Sequence, residues 1–246
     1  MRNKVALVTG GMGGIGTAVC QHLAREGAQV VVGYQRDSIS ANLWVNKQRE
    51  QGYDFFASYV DVTDFESCLN LVNYIELRFG RIDILVNNAG INQDAQLYKM
   101  DLEAWRSVIQ TNLDSVFNMT RHAINGMVAR GYGRIINISS INGQKGQFGQ
   151  ANYAAAKAGI HGFTMSLAQE VARKGVTVNT ISPGYVETNM LKSMPNKVLE
   201  KVIDQIPLGR LGRPDEVARA VGFLAAEQSE FVTGANLPIN GGQYLS

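Results

Sequence analysis

Val5-Ala6-Leu7-Val8-Thr9-Gly10-Gly11-Met12-Gly13-Gly14-Ile15-Gly16 is the stretch that decides the fold of this chain. Val5 to Val8 is a short apolar run rich in strand formers. Glycine then dominates up to Gly16. Beyond it, Ala18, Val19, Cys20, Leu23 and Ala24 recur at the spacing of a buried helical stripe. Strand, glycine-rich turn and helix in that order form a dinucleotide-binding start. The glycines let the backbone approach a pyrophosphate, and the helix N-terminus offers free N–H groups and a partial positive charge. The spacing is Thr-Gly-x-x-x-Gly-x-Gly rather than Gly-x-Gly-x-x-Gly. Phosphate contacts are expected from Gly10, Met12, Gly13, Gly14, Ile15 and Gly16.

Outward from this turn, strand-like and helix-like segments alternate. Strands are expected at 4–9, 29–34, 55–60, 83–87, 133–139, 176–182 and 236–239, with helices at 15–26, 63–79, 101–129, 151–174 and 214–226. The alternation implies an α/β fold: a single-domain, Rossmann-like, doubly wound parallel sheet of about seven strands with helices on both faces. No linker or repeat divides residues 1–246. Ligands of such sheets sit beyond the carboxyl ends of the strands. Gly10, Tyr34, Asp61, Asn88, Ser140 and Pro183 all fall there, so one crevice can collect them. Residues 184–212, irregular and rich in Gly and Pro, are expected to form a lid over the substrate.

Composition narrows the function. The net charge is only +2 and no basic block occurs, so nucleic acid is not an expected partner. Cys20 and Cys68 read as reduced core thiols, which suits a cytoplasmic chain. His22, His122 and His161 fall on separate expected helices, so no metal site is expected. Met1-Arg2-Asn3-Lys4 runs directly into a strand, so no signal peptide is expected, and no apolar run reaches membrane-spanning length.

Tyr153 and Lys157 stand four residues apart in an alanine-rich helical segment, so phenol and ammonium share one face. The ammonium is expected to lower the tyrosine pKa from about 10 and so bring its proton into play near neutral pH.

These motifs together resemble the short-chain dehydrogenase/reductase family over essentially the whole chain. Thr9–Gly16 resembles its cofactor turn, Asn87-Asn88-Ala89-Gly90 its fourth-strand motif, and Pro183-Gly184 its late-strand motif beside the nicotinamide. Asn112, Ser140, Tyr153 and Lys157 resemble its catalytic tetrad. The resemblance implies hydride transfer to a carbonyl carbon. Tyr153 would give the proton, Ser140 would stabilise the oxygen, and Lys157 would tune Tyr153 and hold the ribose. Asn112 would position a water that feeds protons to Lys157. Ser140 as a nucleophile would need a base, and no nearby motif supplies one. Asp61 and Val62 resemble the adenine contact, while Asp61 also suits an N-cap of the next helix. Asn88, Ala89, Gly90, Gly184, Val186 and Thr188 join the expected cofactor site.

Cofactor choice turns on the end of the second strand. An acid there favours NAD by accepting from the ribose and repelling a 2′-phosphate. This chain has Tyr34 instead, followed by Arg36, a side chain that can fork onto a phosphate. The expected cofactor is NADP(H), with Asp37 opposing it. For the substrate, Asn142–Gln150 resembles the acetoacetyl-CoA reductases, which serve polyhydroxybutyrate synthesis. Asp94, Lys99, Gln147, Phe148, Gln150, Gly184 and Tyr185 are then expected, with Ser140 and Tyr153, to face an acyl-CoA thioester. The alternatives are a 3-oxoacyl-acyl-carrier-protein reductase and, further off, a nucleotide-sensing protein without catalysis. The resemblance also implies a homotetramer, with Asn236–Gly242 in its assembly.

Overall fold

The computed structural model describes residues 1–35, 37–188 and 196–245. The strands are β1 (Val5–Thr9), β2 (Gln29–Tyr34), β3 (Phe56–Tyr59), β4 (Ile84–Asn87), β5 (Gly133–Ile138), β6 (Val176–Pro183) and β7 (Asn236–Ile239). They form one parallel sheet in the order β3-β2-β1-β4-β5-β6-β7. The winding reverses between β1 and β4, and there the carboxyl ends of the strands part to leave a crevice.

Strand residues point alternately to the two faces, and each face buries its own set. Ala6, Val8, Val30, Val32, Val86 and Ile136 pack against α1 (Gly14–Arg25) and a late helix, Pro214–Ala225. Val5, Leu7, Val31, Leu85, Ile135 and Val178 pack against α3 (Phe65–Phe79) and a helix over Ser115–Arg130. Both faces are therefore apolar, which is why the strands read as unbroken Val/Ile runs. Each fully buried aliphatic side chain contributes roughly 1.5–3 kcal/mol. Cys20 and Cys68 are buried free thiols within these two layers. Among the described residues no helix is long and apolar enough to cross a membrane.

The remaining helices are α2 (Ser38–Glu50), α4 (Leu102–Ile109), α5 (Ser115–Arg130), α6 (Asn142–Lys145), α7 (Ala151–Val171), α8 (Asn196–Asp204) and α9 (Pro214–Ala225). The single helix expected over 101–129 is in fact α4 and α5 joined by a π-helical turn, Gln110–Asp114. The Asn112 amide donates to the Val108 carbonyl four residues back, at 2.9 Å, within this widened turn. Asp61 is not an N-cap either. Its carboxylate accepts from Thr63, and Asp64 caps α3 by accepting from Glu66 N–H at 2.9 Å.

Candidate active site

The glycine turn fits a dinucleotide. Gly10 takes φ of +60°, a conformation that favours glycine. A Cβ on Gly16 would press on the Gly10 carbonyl oxygen and lie 2.7 Å from Gly11 Cα. Gly13 precedes α1 as its N-cap with no side-chain cap, and the first turn holds no acid, so the free N–H groups there suit an anion. Thr9 Oγ1 accepts from the N–H groups of Asn88 and Ala89 at 3.0 and 3.2 Å, while Asn88 Nδ2 donates to the carbonyls of Thr9 and Gly10. Asn88 is thus a tie across the crevice, and Ala89 and Gly90 follow at its floor. The Met12 side chain is buried in the core, leaving its backbone to face a cofactor. Thr188 rests against Gly14 on the other wall. Pro183 and Gly184 end β6, and Val186 bridges to Gly212.

Tyr34 closes β2 half-buried, its ring edge-on to Tyr59 with centroids 6.2 Å apart. Asp37 caps α2 and accepts from Ser40 N–H at 2.9 Å, so its charge faces its own helix. That bond holds the Asp37 carboxyl below the ordinary range. Arg36 lies outside the described residues. Asp61 and Val62 follow β3 at the same end of the sheet.

On α7, Lys157 is buried and donates to the Ile138 carbonyl at 2.8 Å. Its backbone carbonyl accepts from Ser139 Oγ at 2.8 Å. Burial lowers the Lys157 pKa to about 8. Tyr153 stands beside it, with Lys157 Nζ 5.6 Å from the ring centroid. The expected depression of the Tyr153 pKa is not found. Burial raises it, the hydrogen bond with Ser140 opposes, and the Asp94 carboxylate raises it further. Ser140 Oγ also accepts from Asn142 N–H at 3.1 Å.

Asn112 Nδ2 donates to Ile91 and Val108 carbonyls at 2.9 Å, which leaves Oδ1 buried and, among the described residues, without a partner. A Cβ on Gly90 would lie 2.6 Å from that oxygen and 3.5 Å from Lys157 Nζ, so both atoms border one point. The orphaned acceptor and the ammonium together suit a bound water.

The expected substrate residues divide. Gln150 is buried and donates to Asp94 at 2.8 Å. Tyr185 is half-buried, and both burial and Asp94 raise its pKa. Tyr185 also walls a cavity of about 430 Å³ with Ile206, Leu208 and Asn240. Phe148, by contrast, is 80% exposed, which places it on the rim. Lys99 is exposed with its ammonium over the Tyr98 ring, and Gln147 accepts from Lys145. The expected lid falls in part on residues 189–195, outside the described residues. Its described base is pinned where Gly212 N–H donates to Tyr185 O at 2.9 Å.

Sequence reasoning missed a buried network beneath α7. Asn87 Nδ2 donates to Asn137 Oδ1 at 2.8 Å, and Asn137 and Thr180 donate to Thr164 Oγ1 at 2.9 Å. An asparagine inside the apolar run Ile135-Ile136-Asn137-Ile138 was the signal. The network fixes α7, and with it Tyr153 and Lys157, on the sheet.

Comparison with known proteins agrees with this architecture. Residues 4–198 match the short chain dehydrogenase family. The chain is 51% identical over 245 residues to an acetoacetyl-CoA reductase of Cupriavidus necator, covering all of both chains. It is 53% identical to an acetoacetyl-CoA reductase of Allochromatium vinosum, over 98% of this chain and 99% of the relative. Identity to a 3-oxoacyl-[acyl-carrier-protein] reductase of Pseudomonas aeruginosa is 42%, over 100% of this chain and 99% of the relative. The chain belongs to the short-chain dehydrogenase family, oxidoreductases that work with a nicotinamide cofactor.

Proposed function

We propose that this chain reduces acetoacetyl-CoA to 3-hydroxybutyryl-CoA with NADPH. The observation that carries the reading is 51% identity along the entire chain to an acetoacetyl-CoA reductase. The cofactor's pyrophosphate would lie on the backbone of Gly10 and Gly13–Gly16. Asp61 and Val62 would meet the adenine. Asn88–Gly90, Pro183, Gly184, Val186 and Thr188 would surround the nicotinamide half. Tyr34 in place of an acid supports NADP, together with Arg36. When bound, the nicotinamide supplies the hydride that reduces the carbonyl carbon.

The chain's own residues handle the oxygen. Tyr153 gives its phenolic proton to the carbonyl oxygen, and its raised pKa keeps that proton in place until charge develops there. Ser140 donates to the same oxygen and stabilises its charge. Lys157 holds the ribose, and the point bordered by Asn112 Oδ1 and Lys157 Nζ holds a water that returns protons. Asp94, Gln150 and Tyr185 shape the acyl pocket, with Phe148, Gln147 and Lys99 nearer its rim. The enzyme works in the cytoplasm as a homotetramer and supplies polyhydroxybutyrate synthesis. The second reading, a carrier-protein reductase, draws on the 42% identity to the Pseudomonas relative.

The test follows NADPH consumption with acetoacetyl-CoA. Wild type should turn over, and Tyr153→Phe should lose roughly 10²–10⁴-fold in turnover. NADPH binding, read by nicotinamide fluorescence, should change little. Near-normal turnover in that variant would remove Tyr153 from the mechanism.

A further inference from the structure

A line of hydrogen bonds runs from Ser140 away from Tyr153. Asn142, buried at the start of α6, donates its backbone N–H to Ser140 Oγ at 3.1 Å. Its Nδ2 donates to Gln150 Oε1 at 2.8 Å, and Gln150 Nε2 donates to the Asp94 carboxylate at 2.8 Å. The polarity of this line is fixed from one end. A carboxylate only accepts, so Gln150 must present its NH2 group to Asp94. Its oxygen then faces Asn142, which must present NH2 in turn. The cost is visible at Asn142 Oδ1, which is buried and has no partner among the described residues. The two loops are also tied by backbone, Ala95 N–H to Gly149 O at 2.9 Å, so the line joins rigid segments.

We propose that Asn142 is a positioning residue for the reduction: its side chain holds the Gln150 oxygen and so keeps the Gln150 amide turned with its NH2 group on Asp94. Through that amide it holds the Asp94 carboxylate in place beside the acyl pocket. Asn142 N–H occupies one Ser140 lone pair, so the hydroxyl proton points to Tyr153 and the place where the substrate oxygen would sit. The role rests on the reductase reading above.

The test inverts the polarity. Asn142→Asp can no longer donate, so Gln150 lies between two carboxylates and must set its oxygen against one of them. The kcat/KM for acetoacetyl-CoA should fall by roughly 10- to 100-fold, as for a lost charged hydrogen bond, while the KM for NADPH stays put. Adding Asp94→Asn to that variant restores a donor and rebuilds the line in reverse. The double variant should recover at least about ten-fold over Asn142→Asp, whereas Asp94→Asn alone should gain nothing. Should Asn142→Asp fail to fold, Gln150→Glu carries the same test, since it also faces Asp94 with an acceptor and is relieved by Asp94→Asn. A double variant no faster than its parent overturns the positioning role. A wild type inert to acetoacetyl-CoA overturns the reductase reading itself, and this role with it.

Discussion

The Lys157 ammonium stands 5.6 Å from the centre of the Tyr153 ring and gives a hydrogen bond to the Ile138 carbonyl. The two groups are displaced in opposite directions on the pH scale and end up further apart. Tyr153 is raised above its ordinary value, and Lys157 is lowered to about 8. At neutral pH the phenol keeps its proton and the lysine keeps its charge, the state a reductase needs.

The first prediction follows from that order. As pH rises through about 8, Lys157 loses its proton while Tyr153 still holds its own. The kcat/KM for reduction reports groups of the free enzyme. It should fall with a midpoint near pH 8, and the fall belongs to Lys157. A profile flat to pH 9.5 would contradict the assignment.

Lys157 also carries a stability cost with a definite sign. Its pKa falls from 10.5 in the unfolded chain to about 8 when buried. Between those values the unfolded chain binds more protons, so stability rises with pH across that window and the penalty is complete below about 8. The displacement corresponds to roughly 3 kcal/mol, against which the lost Ile138 hydrogen bond weighs about 1 kcal/mol. Lys157→Met should therefore melt higher than wild type at pH 7 while losing activity. The gap should close as pH approaches 10. Thermal unfolding of both proteins across pH 7–10 checks this, and a variant less stable at pH 7 would refute it.

Cofactor choice gives a third prediction. Tyr34 occupies the strand end where an acid would accept from the ribose hydroxyls. Tyr34→Asp places a negative charge where a 2′-phosphate would sit. The kcat/KM for NADPH should drop about 10- to 100-fold, consistent with ~1.5–3 kcal/mol for a charged contact. Efficiency with NADH should hold or rise. A wild type that already prefers NADH would refute the NADP assignment.

Legibility in the sequence was uneven for physical reasons. The strands were plain because a sheet covered on both faces is written in unbroken apolar runs such as Val30–Val32. The glycine turn was plain because close backbone approach leaves no other residue that fits at Gly16. The π-turn at Asn112 was not, because a side-chain amide competing for a helix carbonyl leaves no mark on hydrophobic periodicity. Asn142 was passed over for a similar reason: an amide becomes informative only once its partners are known. The direction of the Tyr153 pKa was misread because spacing reveals a neighbouring charge but not the depth of burial.

The last prediction separates the two thioester carriers. A carrier-protein reductase would draw an acidic carrier with a basic patch, and Lys174 with a cation at position 131 would form one. Gly131 ends α5 at φ +65° with nothing within 4 Å of an added Cβ, and it packs against Gly175, next to Lys174. Gly131→Lys would set a second cation beside Lys174, at a cost of roughly 1 kcal/mol for the left-handed backbone. Wild type should reduce acetoacetyl-CoA with higher kcat/KM than acetoacetyl-acyl-carrier protein at matched salt. The variant should gain on the carrier-protein substrate alone, through a lower KM that weakens as salt rises, because an acidic carrier is drawn by screened surface charge. Its kcat/KM for acetoacetyl-CoA should stay where it was, since residue 131 lies at the far end of β5 from Ser140. A wild type that already prefers the carrier-protein thioester would make the fatty-acid reaction the better reading.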